Sequence, residues 1–194
     1  MQKNLEYKAV NRLDLSDPKF KMLHKLNAFA FISIVITSAV GITVNYCLRM
    51  LGEPGGLYFI YVLCGVVNCL IYPYVHEFAH AFAVIICRGK IPTVKFGKLA
   101  AYCGSPDIIF NKSQYFFVVS FPFVFYCALF IPLCILIPAE FFPMVFMPLM
   151  YNVFCSVADA FMINKATKTP KGGIIVDCGT DVIIYAPCKD VAKK

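Results

Sequence analysis

Two histidines four residues apart, with a glutamate directly after the first, occur in the run His76-Glu77-Phe78-Ala79-His80. On a helix, side chains at i and i+4 lie on one face about one turn apart. Two imidazole nitrogens placed that way can reach a single tetrahedral Zn2+ at about 2.0–2.1 Å. Glu77, one position further on, points slightly around the helix. From there it can act as a general base toward water instead of ligating the metal. Zinc so held is a Lewis acid that makes a water-derived nucleophile accessible near neutral pH. The competing reading is a pair of packing histidines hydrogen-bonded to Glu77. That reading leaves two imidazoles and a carboxylate in an apolar helix without a strong reason.

A catalytic zinc takes three protein ligands and keeps one position open. Within the hydrophobic blocks described below, the charged residues are Glu77 and Asp159, and the histidines are His76 and His80. Asp159 is therefore the candidate third ligand. His80 lies seven residues before the end of its block and Asp159 five before the end of its own. Both are on the order of 10 Å in from the same end. The alternative for Asp159 is to cap a neighbouring helix or pair with an interfacial lysine. Asn152 and Ser156 share its helical face; they could orient Asp159, bond a substrate carbonyl, or simply join helices. His24 sits among lysines and reads as an interfacial residue without a ligand role.

The elements that must position these residues are set by composition. The chain has 194 residues, 60% hydrophobic, with a mean hydropathy of +0.72 and only 15% charged. A soluble domain is typically about a quarter charged. The excess apolar content falls in four blocks, 26–48, 57–87, 113–139 and 141–164, each long enough to cross the hydrocarbon layer. The fold class expected is an all-α membrane protein of about four transmembrane helices with small strand-like cytoplasmic segments, forming a single membrane domain over residues 1–194. The first block is longer than a signal-peptide core and lacks a small-residue cleavage site after it, so it reads as a retained span. The second would make a helix of roughly 46 Å against a core of about 30 Å, so tilting, or bending at Pro73, is expected.

Four spans put residues 1–25, 88–112 and 165–194 on one side, with every lysine and arginine of the chain's 18 except Arg49. That asymmetry predicts both termini in the cytoplasm. The net charge of +7 then reflects topology and attraction to anionic headgroups, giving no support for nucleic-acid binding. The 10 cysteines form no CxxC pair and read as small apolar filler on the reducing side or within spans. Residues 88–112 are punctuated by Gly89, Pro92, Gly97, Gly104 and Pro106, with possible short strands at 93–96 and 99–103. Residues 173–178 and 180–185 alternate about Gly179 like a hairpin.

The sequence resembles the membrane zincin peptidases, relatives of the site-2 protease family of intramembrane zinc metalloproteases. The resemblance is carried by His76-Glu77-Phe78-Ala79-His80 in an early span and by Asn152, Ser156 and Asp159 in a later one. It implies zinc ligation by His76, His80 and Asp159 and catalysis by Glu77. It also implies that an extended strand near the site presents substrate, with residues 93–103 as its counterpart. Asp159 departs from the family habit of Asp-Gly, being followed by Ala160.

The first expectation is thus a zinc-dependent metallopeptidase acting on a membrane-embedded or membrane-proximal peptide, at or within the bilayer near its cytoplasmic face, in the cell membrane. The second is a non-enzymatic membrane metal-binding protein, a transporter or sensor using the same three ligands. An inactive scaffold that retains the fold is the third.

Overall fold

The structure is a computed structural model that describes residues 6–14, 32, 39, 43, 46, 56–96, 101–138, 141–179 and 181–188. The expected span at 26–48 lies outside the described residues except for Ile32, Ala39, Thr43 and Tyr46, each of them helical.

Three helices follow: α1 (Gly56–Arg88), α2 (Lys112–Leu136) and α3 (Phe142–Ala166). Among the described residues, these three are long and apolar enough to cross a membrane. Their outward faces stay apolar, with Leu70, Ile135 and Leu136 at least 70% exposed. A water-facing helix would carry polar residues there. With 33 residues, α1 is about 50 Å long, well beyond a hydrocarbon layer of about 30 Å. Arg88 and Lys165 occupy the last turns of α1 and α3, where a cation favours the negative end of the helix dipole. Pro73, Pro122, Pro132 and Pro148 all lie inside helices. Each lacks an N–H, so the carbonyl four residues back loses its helical donor and is open to another.

The strands exceed the small segments expected. Strand β1 (Tyr7–Asp14) joins an antiparallel sheet of order β1-β6-β5-β4, completed by β4 (Ile109–Phe110), β5 (Ile174–Asp177) and β6 (Asp181–Pro187). The hairpin expected about Gly179 is β5–β6, registered from Ile174 opposite Tyr185 to Asp177 opposite Val182. Gly179 has φ +91°, a backbone conformation that favours glycine. A separate pair, β2 (Thr93–Phe96) and β3 (Ala101–Gly104), matches the other expected strand region. Strand β1 was not legible because Tyr7–Arg12 are exposed and Leu13 is buried, which leaves no alternation to read over residues 7–13.

The described residues fall into two compact units. In the first, the sheet and the segments 77–88, 112–121 and 159–166 share one core. Ile175, Val182 and Ile184 from the sheet meet Ala83, Val118, Val119 and Met162 from the helices. The alternation in β6 explains its contribution: Val182, Ile184 and Ala186 are buried while Asp181, Ile183 and Tyr185 are partly exposed. In the second unit, residues 56–76 of α1 pack with the rest of α2 and α3. Gly65 makes room there, since a Cβ would lie 2.7 Å from Met147 Sδ and 2.9 Å from the Pro143 carbonyl oxygen. A small residue lets two apolar helices approach closely.

Candidate metal centre

The helix α1 runs unbroken through residues 76–80, so His76 and His80 stand one turn apart on it. Both are buried, at 3% and 9% exposure. On α3, Asp159 brings a carboxylate oxygen to 3.4 Å from His80 Nε2. One ligand atom each from His76, His80 and Asp159 lie within 4.8 Å of one another.

This donor set fits zinc. A tetrahedron with bonds of about 2.0–2.1 Å has edges of roughly 3.3–3.4 Å, which is the His80–Asp159 separation. Two imidazoles and a carboxylate are also a ligand set that zinc uses where catalysis needs an open position. The alternatives for Asp159, capping a helix or pairing with a surface lysine, are not needed to explain its place beside His80.

The imidazole of His80 is prepared by the backbone of α2. Its Nδ1 lies 3.0 Å from the Val118 carbonyl oxygen. A carbonyl can only accept, so Nδ1 carries a proton and Nε2 is the nitrogen left to face a metal. The sequence explains why that carbonyl is available. Four residues on stands Pro122, which has no N–H to give it. A backbone oxygen that an uninterrupted helix would have used internally thus orients the ring of a candidate ligand.

Glu77 is steered by a different element. Its Oε2 accepts a hydrogen bond of 2.9 Å from the Cys103 backbone N–H on β3. Phe78, the next residue, has its ring 6.0 Å from that of Phe96 on β2. The catalytic candidate is therefore carried on a helix but aimed by a β-hairpin. Burial and the nearby Glu77 and Asp177 push the Cys103 thiol up to about 12. At neutral pH it stays a neutral thiol.

A family model described as "Putative zincin peptidase" matches residues 69–174, from within α1 to the start of β5. The chain belongs to this family. Zincin peptidases are zinc metallopeptidases, and the matched segment contains His76, Glu77, His80 and Asp159. No match was found among curated proteins or solved structures.

Two further polar residues on the face of Asp159 have roles of their own. Asn152 is fully buried and accepts a 2.6 Å bond from Tyr72 Oη. Its amide donates to the Phe123 carbonyl at 3.3 Å. These bonds tie α1, α2 and α3 within the second unit, which is the interhelical role among those expected. Tyr72 also sets its ring 5.9 Å from that of His76, one turn along the same helix. Ser156 is buried, and its Oγ has no hydrogen bond among the described residues. The expectation that it orients Asp159 therefore has no bond behind it. Cys103, Val118 and Asp177 were missed by sequence reading. The first two act through backbone atoms, which any residue supplies. Asp177 was visible only as one acid in a strand-like tail.

Proposed function

We propose that this protein is a zinc-dependent metallopeptidase that hydrolyses peptide bonds at or within the membrane, near its cytoplasmic face. The observation that carries the reading is the convergence of His76, His80 and Asp159 on one point, with Glu77 adjacent on the helix. His76, His80 and Asp159 would hold the metal. Zinc bound there supplies Lewis acidity toward a peptide carbonyl and toward water.

Glu77 takes a proton from the attacking water as its oxygen adds to the scissile carbonyl carbon. It returns that proton to the amide nitrogen as the C–N bond breaks and the amine leaves. The Cys103 N–H restricts the carboxylate to one orientation for this transfer. His80, with its proton fixed on Nδ1, needs no tautomer change during turnover.

The membrane setting rests on the three apolar helices and on the lysine-rich segments. We place both termini and the β-hairpins in the cytoplasm. Strand β2 has one strand partner among the described residues, β3. Its other edge suits an extended substrate adding by main-chain hydrogen bonds, since a helical peptide must unwind before a metal can reach its backbone.

The test uses purified protein in detergent, zinc quantified, and a membrane-anchored peptide as substrate. Glu77→Gln should keep its zinc and lose hydrolysis by roughly 100-fold or more. His80→Ala and Asp159→Ala should each lower zinc occupancy. Wild-type protein that binds no zinc would refute the peptidase reading. Metal uptake into vesicles that survives Glu77→Gln would favour a transporter.

A further inference from the structure

Asp177, at the end of β5, makes three hydrogen bonds that tie it to its own turn, to α2 and to the residue that follows the strand holding Glu77. Its Oδ1 accepts from the Gly179 N–H at 2.8 Å, closing the β5–β6 turn on itself. Its Oδ2 accepts from Tyr115 Oη of α2 at 3.0 Å. Its backbone carbonyl accepts from the Ser105 N–H at 2.8 Å, immediately beyond β3. Two residues before Ser105 is Cys103, whose N–H holds Glu77. The packing between is close. A Cβ on Gly104 would lie 2.2 Å from the Gly179 nitrogen and 2.6 Å from the Cys178 carbonyl carbon, both backbone atoms. A Cβ on Gly179 would in turn meet that of Tyr102 at 3.3 Å. Strand β3 thus rests directly on the turn that Asp177 closes.

A carboxylate is a costly choice for that post. Burial pushes Asp177 up, and the Gly179 amide, the Tyr115 hydroxyl and the His80 charge oppose the shift only in part. A turn alone would be served by a neutral side chain. What a carboxylate adds is two oxygens that take a hydroxyl from α2 and an amide from the turn at once.

We propose that Asp177 is a positioning residue for Glu77: by pinning the β5–β6 turn to α2, it sets β3 where the Cys103 amide can hold the Glu77 carboxylate. This rests on the reading of Glu77 as the catalytic base. Asp177 touches neither substrate nor metal in this scheme. It acts through Ser105, Gly104 and Cys103.

The test uses the full chain in lipid nanodiscs, labelled with 15N-cysteine, with the Cys103 amide resonance assigned by its loss in Cys103→Ser. Asp177→Ala should move that resonance in the same direction as Glu77→Ala does. Zinc content should stay at the wild-type level. On a membrane-anchored peptide, kcat should fall on the order of tenfold or more while KM stays within about twofold. Asp177→Asn still offers an acceptor to Gly179 and a polar partner to Tyr115, and should restore most of kcat. A Cys103 resonance that does not move in Asp177→Ala overturns the proposal, as does a loss of kcat that follows a loss of zinc. Should Asp177→Ala fail to fold, Tyr115→Phe removes one of the three bonds. An unmoved Cys103 resonance in that variant is equally fatal. If the resonance moves but wild-type protein cleaves no peptide, the link between Asp177 and Glu77 stands and the peptidase reading falls.

Discussion

Pro122 gives the Val118 carbonyl no helical hydrogen bond, and His80 takes the place of the missing donor. Pro122→Ala supplies an N–H that competes for that oxygen. We expect zinc affinity to fall by roughly tenfold, read by competition with a chromogenic chelator, because tautomer-fixing partners typically matter at that level. The Tyr72–Asn152 pair makes a separate prediction within the second unit. Tyr72→Phe leaves the buried Asn152 Oδ1 without its 2.6 Å donor and should cost about 1–3 kcal/mol, measured by reversible denaturation in mixed micelles. At this scale the side-chain chemistry was legible and its supports were not. His76, Glu77 and His80 announce themselves by spacing, and Asp159 by being an acid in an apolar block. Val118 and Cys103 contribute a carbonyl and an amide. Only the fold shows which of the chain's many backbone groups they are.

Ile175 is wholly buried in the core shared by the sheet and the helix ends, so Ile175→Ala should destabilise by about 2–5 kcal/mol. Gly65→Ala places a methyl against the Pro143 carbonyl and should lower stability by about 1–3 kcal/mol, with the deficit reduced by a smaller residue at Met147. The β5–β6 hairpin carries a pH signature. Burial raises the Asp177 carboxyl above its ordinary range in the folded state. The folded chain therefore binds that proton more tightly than the unfolded chain does. The resulting stabilisation is fully present below the unfolded pKa and disappears as pH rises through the folded one. Asp177→Asn removes this dependence, so its unfolding midpoint should gain on wild type as pH rises above the ordinary carboxylate range of about 4. Of the elements, the long apolar helices and the Gly179 hairpin could be read directly. Strand β1 could not, because an exposed edge strand takes its conformation from the pairing with β6 and not from its own pattern.

For the molecule as a whole, large apolar side chains on the outside of all three helices set the solvent it requires. The protein should remain in the membrane pellet through alkaline carbonate washing and enter solution only with detergent. Release by carbonate would contradict the membrane reading. Orientation is open to a separate check at Cys188, which is exposed beyond β6. An impermeant maleimide should label it in inverted vesicles but not in intact cells, and Cys188→Ser should abolish the signal. Charge asymmetry along the sequence predicts this side because translocating lysines is unfavourable. Composition could reveal the helices' medium. It held no sign that Glu77 would be held by a hairpin strand, since that depends on which strand the helix end meets.

The bond between His80 and Val118 also bears on how metal arrives. An imidazole whose Nδ1 is tethered to a backbone carbonyl presents its other nitrogen without turning its ring. Zinc loading of the apoprotein should then proceed at a rate proportional to free zinc, with little lag for ligand rearrangement. A proline inside a helix would thereby act as a kinetic device, shortening the path by which an empty site becomes a loaded one.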